Sequence, residues 1–159
     1  MQLAHLLERA GQHENALAEY RKIRRIYPTS VQAAFQTGAV LEKLQRPAEA
    51  ATAYRQSIAL EPDFVPALNN LAWLLATSEN SSLKAPDEAL KLAMAAAEKT
   101  RFESAPILDT LATAQMAAGN RKAAMATLAK AIPLASAAGQ TDFAAELSKK
   151  LRDYENSNP

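Results

Sequence analysis

The sequence predicts an all-α fold, a right-handed α-solenoid of about four stacked helical hairpins closed by a capping helix, and three observations carry that prediction. Ala16, Tyr20 and Pro28 recur 34 residues later as Ala50, Tyr54 and Pro62. Hydrophobic residues make up 48% of the chain and aromatic ones only 6%, so the apolar content is chiefly alanine and leucine, which favour helices and close helix contacts. Toward the end, Phe143, Leu147 and Leu151 follow i, i+4, i+8 spacing with charges between them, the pattern of one amphipathic helix.

Taken in order, the elements fall into units at residues 1–29, 30–63, 64–102 and 103–138, with a capping helix over 141–155, all within one domain spanning 1–159. In the first two units the stretch from Gly11 to Tyr20 aligns with that from Gln45 to Tyr54, Glu8-Arg9 answers to Glu42-Lys43, and Ala4 to Gly38. This period, with a small residue early, then Ala-x-x-x-aromatic, then proline, resembles the tetratricopeptide repeat. The third unit opens with Leu71-Ala72 and Leu75 and closes with Ala89 and Ala93. Its interhelix segment from Thr77 to Ala85 is about five residues longer than in the first two, and Pro86-Asp87-Glu88 restarts a helix. The fourth unit keeps Leu111-Ala112, Gly119 and Ala124 but lacks the aromatic and the proline, and Gly119-Asn120 suits an interhelix turn. The run from Leu68 to Thr77, followed by a polar loop and Asp87-Glu88-Ala89-Leu90, is similar to a segment common in bacterial members of the family.

Small residues supply the packing logic. Gly38, Ala72 and Ala112 let the first helix of a unit approach its partner, and Ala16, Ala50, Ala89 and Ala124 give the matching flat spot on the second. One hairpin cannot bury both faces, so neighbours must stack.

Composition narrows the function. With 18 Lys+Arg against 17 Asp+Glu the formal charge is +1, which makes nucleic acid a poor partner. There is no cysteine, which removes disulfides and thiolate metal sites. No apolar run approaches the ~20 residues that cross a bilayer, so no membrane insertion is expected. The chain reads as soluble, cytoplasmic or periplasmic, with the compartment open. His5 and His13 lie on different helices with no cysteine to join them, and the four glycines are isolated, so neither a zinc site nor a phosphate cradle forms. The serines have no histidine near in sequence, and Glu8, Glu42, Glu49 and Glu98 read as solvated polar positions. No enzyme activity and no cofactor are expected.

The resemblance implies that the first helix of each hairpin lines a concave groove for a protein or peptide ligand. Carried over, the lining includes His5 in unit one, Gln36 with Phe35 in unit two, Asn69, Asn70 and Trp73 in unit three, and Asp109, Thr110 and Thr113 in unit four. The amides of Gln36, Asn69 and Asn70 offer both donors and acceptors to an extended peptide, and Trp73 would bury an apolar anchor. Trp73 could equally cover the long loop, Asn70 could satisfy a neighbouring group, and Phe35 could belong to the core; the sequence leaves these alternatives open. Members that grip acidic chaperone tails carry several cations on the groove helices. Only Arg9 and Lys43 would serve here, each beside a glutamate, so that role is disfavoured. The cluster Arg21-Lys22-Ile23-Arg24-Arg25 reads either as a solvated helix end or as a surface for an acidic partner.

Three functional readings follow. The chain is a partner-binding scaffold, a self-associating assembly unit joined through exposed repeat edges, or a regulatory segment of a larger protein. The first unit starts about four residues into its helix, which is compatible with a fragment of a longer array, and Leu3, Leu6 and Leu7 would then lie at an open edge.

Overall fold

The structure, a computed structural model, describes residues 1–156, and among the described residues it contains nine helices and no strand. They are α1 (Gln2–Arg9), α2 (His13–Ile26), α3 (Val31–Lys43), α4 (Pro47–Leu60), α5 (Val65–Thr77), α6 (Pro86–Lys99), α7 (Ala105–Ala117), α8 (Arg121–Ala137) and α9 (Thr141–Asn156). The expected class, an all-α helical-repeat solenoid, is the one observed.

Local chemistry starts and stops these helices. Pro47, Pro86 and Pro106 stand in the first turns of α4, α6 and α7, where a missing amide proton costs nothing. Ser30 caps α3 by accepting the Ala33 amide at 3.2 Å. At the far end of α1 a left-handed residue at 11 lets its own amide and the one after it fold back onto the helix, Gly11 to the Glu8 carbonyl at 3.0 Å and Gln12 to the Leu7 carbonyl at 2.9 Å. The ends of α3, α6, α7 and α8 repeat this double closure. Glycine takes the left-handed position at 11, 119 and 139, but after α3 and α6 it is taken by Gln45 with φ 58° and Arg101 with φ 54°.

By its internal packing the chain divides into two compact units, one from Met1 to Leu71 and one from Ala72 onward, with α5 contributing residues to both. In the first unit α1 packs on α2, α2 on α3 and α3 on α4. Ala16, Leu17, Tyr20, Ala33, Ala34, Val40, Ala50 and Tyr54 make a core almost without solvent contact. A Cβ at Gly38 would stand 2.6 Å from two ring carbons of Tyr54, so the missing side chain is what admits that ring. Leu3 and Leu6 on α1 are 57% and 60% exposed, while Leu7 is half-buried.

In the second unit α6 packs on α7, α7 on α8 and α8 on α9. Ala89, Ala93, Ala112, Ala124, Ala131 and Ala135 let helix axes approach, and Leu108, Leu111, Leu128 and Leu147 fill between them. Each buried leucine contributes about 1.5–3 kcal/mol of apolar transfer energy. As the amphipathic pattern requires, α9 turns Ala144 and Leu147 inward. Arg121 at the start of α8 donates to the carbonyls of Tyr154, at 2.6 Å, and Glu155, placing a cation on the negative end of the α9 dipole.

Candidate functional site

Within the first unit, the first helices present His5, Gln36, Asn69 and Asn70, all half-buried. Behind them runs a polar network built on the two repeat tyrosines. Tyr20, fully buried, donates its hydroxyl proton to Glu8 Oε2 at 2.8 Å. A phenol has one proton, so the 2.9 Å contact between that oxygen and His5 Nδ1 requires the imidazole to donate, which sets its tautomer. The two rings meet edge to face at 5.8 Å. Lys43, from the next hairpin, reaches Glu8 Oε1 at 3.1 Å. The second hairpin repeats the tie: Tyr54 donates to Glu42 Oε2 and accepts from Asn70 Nδ2 at 3.3 Å. Ala39 occupies the place His5 holds one repeat earlier, and Asn70 supplies the donor instead.

These contacts correct the expectation that Glu8 and Glu42 sit on solvated faces. Only 9% of the Glu8 side chain is exposed, and Glu42 is half-buried. Burial is the largest influence on each carboxyl and pushes it up. At Glu8 the Tyr20 hydrogen bond, Lys43 and His5 together outweigh burial and hold the group below the ordinary carboxylate range. At Glu42 the Tyr54 hydrogen bond offsets it only in part, and the group sits above that range. Burial and the adjacent carboxylates push the Tyr20 and Tyr54 hydroxyls well above their usual range, so both remain protonated donors.

Asn70, of the two open alternatives, makes the neighbour contact just described. Asn69 Nδ2 lies 3.4 Å from Asn70 Oδ1, while its own Oδ1 is buried with no hydrogen-bond partner. Phe35 packs into the core side, its ring 5.6 Å from that of Tyr54 and 5.5 Å from Phe64.

Within the second unit, Trp73 is 39% exposed. The Lys150 ammonium of α9 stands 5.2 Å from the centre of its ring and also donates to Asp109 Oδ1 and Thr113 Oγ1, both at 2.6 Å. Three of the sequence-predicted residues are thus brought onto one cation. Thr113 also donates to the Asp109 carbonyl at 2.8 Å and hydrogen-bonds Tyr154, whose hydroxyl is pushed up chiefly by burial. Thr110 does not join them. It is 3% exposed and turns its hydroxyl to the Pro106 carbonyl at 3.3 Å, because a neighbour on a helix points about 100° away from Asp109. Lys150 escaped the sequence reading, since only its position on the closing helix was visible and not the reach of its side chain.

Among the described residues no cluster of three or more metal-ligating side chains occurs, and no helix is long and apolar enough to cross a membrane. The first unit thus offers hydrogen-bond donors and acceptors on its first helices, and the second a partly exposed indole beside one shared cation.

Two family models, each described as tetratricopeptide repeat, match residues 1–30 and 31–64. No curated protein matches the sequence. Among solved structures, the fold is similar to that of MamA 41-end from Desulfovibrio magneticus RS-1, with a TM-score of 0.75 at 19% identity over 99% of this chain and 93% of that one. It is also similar to Pseudomonas aeruginosa PilF, with a TM-score of 0.70 at 19% identity over 99% of this chain and 75% of that one. A thermophilic TPR protein of Thermus thermophilus gives a TM-score of 0.66 at 17% identity, covering 97% of this chain and 89% of that one. Likeness at such identities concerns the fold.

Proposed function

We propose that this chain, a member of the tetratricopeptide-repeat family, is a non-catalytic scaffold that holds a peptide or helix of a partner protein on the first-helix faces of its hairpins. A role in protein–protein interaction follows from the family in general terms; the position of the ligand is our reading. The same reading takes residues 1–159 as one repeat domain with the unit boundaries given above. The observation that carries it is Trp73, the single tryptophan of the chain, left 39% exposed on a first helix instead of sealed into the core. An exposed indole beside polar groups is the kind of anchor on which binding energy concentrates. In this reading His5, Gln36, Asn69, Asn70, Trp73, Asp109 and Thr113 face the partner. Lys150 balances the Asp109 charge and leaves the lining close to neutral, which suits an uncharged segment.

The test is affinity capture on the immobilised chain, with retained proteins identified by mass spectrometry. Asn70→Ala combined with Trp73→Ala is expected to abolish retention of the specific partner while the helical circular-dichroism spectrum is unchanged. Equal retention by parent and variant would refute the placement.

A second reading rests on Leu3 and Leu6, whose exposure on α1 gives an apolar edge through which copies could associate. Light scattering over a concentration series separates the two, because a strictly monomeric chain rules out self-association.

A further inference from the structure

The first unit carries a furrow formed by second helices, apart from the first-helix faces of the proposed function. This furrow runs between α2 and α4 over a floor of α3 that includes Thr37 and Leu41. It comprises two adjoining hollows of about 200 and 280 Å³ that share Arg24 and Gln56. Those two residues meet across it, with Arg24 Nη2 donating to Gln56 Oε1 at 2.5 Å. The tether holds the guanidinium in place, yet its Nε is buried with no acceptor, so the group carries an unmet donor.

Other cations surround it. Arg21 and Arg25 are exposed on α2. Arg21 makes a 3.5 Å contact with Glu49, itself half exposed, and such a pair is weak and readily exchanged. No carboxylate among the described residues pairs with Arg25. Lys22 is committed to Glu19 at 2.6 Å. At the same end, Ile26 and Tyr27 are 68% and 64% exposed and Leu60, across the furrow, is 39% exposed.

Cations in the last turn of α2 answer its dipole. That accounts for Arg24 and Arg25 but not for Arg21, nor for the exposure of Ile26, Tyr27 and Leu60 at the ends of α2 and α4. We propose that this furrow docks an acidic segment of a partner protein that also bears apolar side chains. Its carboxylates would pair with Arg21, Arg24 and Arg25, since a guanidinium offers a carboxylate two parallel hydrogen bonds. Its apolar groups would cover Ile26, Tyr27 and Leu60. Charge complementarity selects this occupant: Glu49, which lines the furrow, is held chiefly by Arg46 at 2.6 and 2.7 Å, a neutral segment would leave Arg25 and the Arg24 Nε unmatched, and a purely charged one would leave the apolar rim wet.

The test is fluorescence anisotropy with the full chain and a short labelled peptide of repeated Glu-Glu-Leu triplets, with Gln-Gln-Leu triplets as control. Saturable, salt-sensitive binding of the acidic peptide alone is expected. Arg21→Glu with Arg25→Glu, both solvent-facing, should weaken it by about tenfold or more. Ile26→Ser with Leu60→Ser should weaken it by a smaller factor, and Asn70→Ala with Trp73→Ala should bind like the parent. Circular dichroism confirms that each variant is folded, and Arg21→Gln with Arg25→Gln serves if the charge reversal is not. No saturable binding, equal binding of the Gln peptide, or no loss in the arginine variants overturns the proposal. So does displacement of the peptide by a short single-stranded oligonucleotide that binds more tightly, which would mark a surface for polyanions in general.

Discussion

Replacing Gly38 by alanine tests whether the fit between α3 and α4 depends on a missing side chain. The new Cβ would lie 2.6 Å from Cδ1 and Cε1 of Tyr54 and 3.0 Å from Cζ, where ordinary contact begins at 3.4 Å. The ring must therefore retreat by roughly 0.8 Å, and it has nowhere soft to go. Tyr54 is fully buried, with its hydroxyl tied to Glu42 and Asn70. Overpacking of this kind costs about 1–3 kcal/mol. Alanine's better helix propensity returns about 1 kcal/mol of that. A net loss of up to about 2 kcal/mol is expected, measured by urea unfolding followed by circular dichroism. The decisive arm repeats the substitution in a Tyr54→Leu background. With the ring gone, alanine at 38 should stabilise by up to about 1 kcal/mol. A Gly38→Ala protein more stable than its parent in the native background would refute the reasoning, and a loss that persists without the ring would place the cause elsewhere.

Three further outcomes are expected. Gln45→Gly should raise stability by about 1 kcal/mol, or about 2–4 °C in Tm, because Gln45 holds φ 58° where glycine has no steric penalty; an unchanged melting curve counts against strain at that turn. Glu42 sits above the ordinary range when folded, so the folded state binds more protons and loses stability as pH rises through that elevated value. Glu42→Gln removes this loss, and its Tm relative to the parent should be more favourable near neutral pH than near about pH 4; the opposite trend in thermal melts sinks the assignment. Lys150→Ala strands Asp109, whose side chain is only 16% exposed, and should cost about 1–2 kcal/mol while shifting the emission of Trp73; an unchanged fluorescence spectrum means the cation does not rest on the indole in solution.

The helices and their pairing were legible because Ala16, Ala50, Ala89 and Ala124 each mark a point of close approach, and all four are completely buried. The candidate faces were legible only in outline. Helical spacing assigned Asp109 and Thr110 to the same face, although adjacent residues diverge by about 100°. A lone carboxylate on a helix is usually solvated, and by pattern alone Glu8 and Glu42 read that way. The signal against that was present: each precedes its hairpin's tyrosine by twelve positions, at 8 and 20 and again at 42 and 54. Lys150 left no such trace, since its contact with Asp109 spans 41 residues and depends on how α9 settles against α7.

The bond from Lys43 back to Glu8 gives the seam between the first two hairpins an electrostatic component. Were the chain cleaved between Pro28 and Val31, the leading fragment would forfeit more than apolar contact, for Glu8 would lose the cation that offsets its charge. Truncation there should therefore hurt more at low ionic strength than the lost hydrophobic area alone would dictate, and added salt should soften the injury.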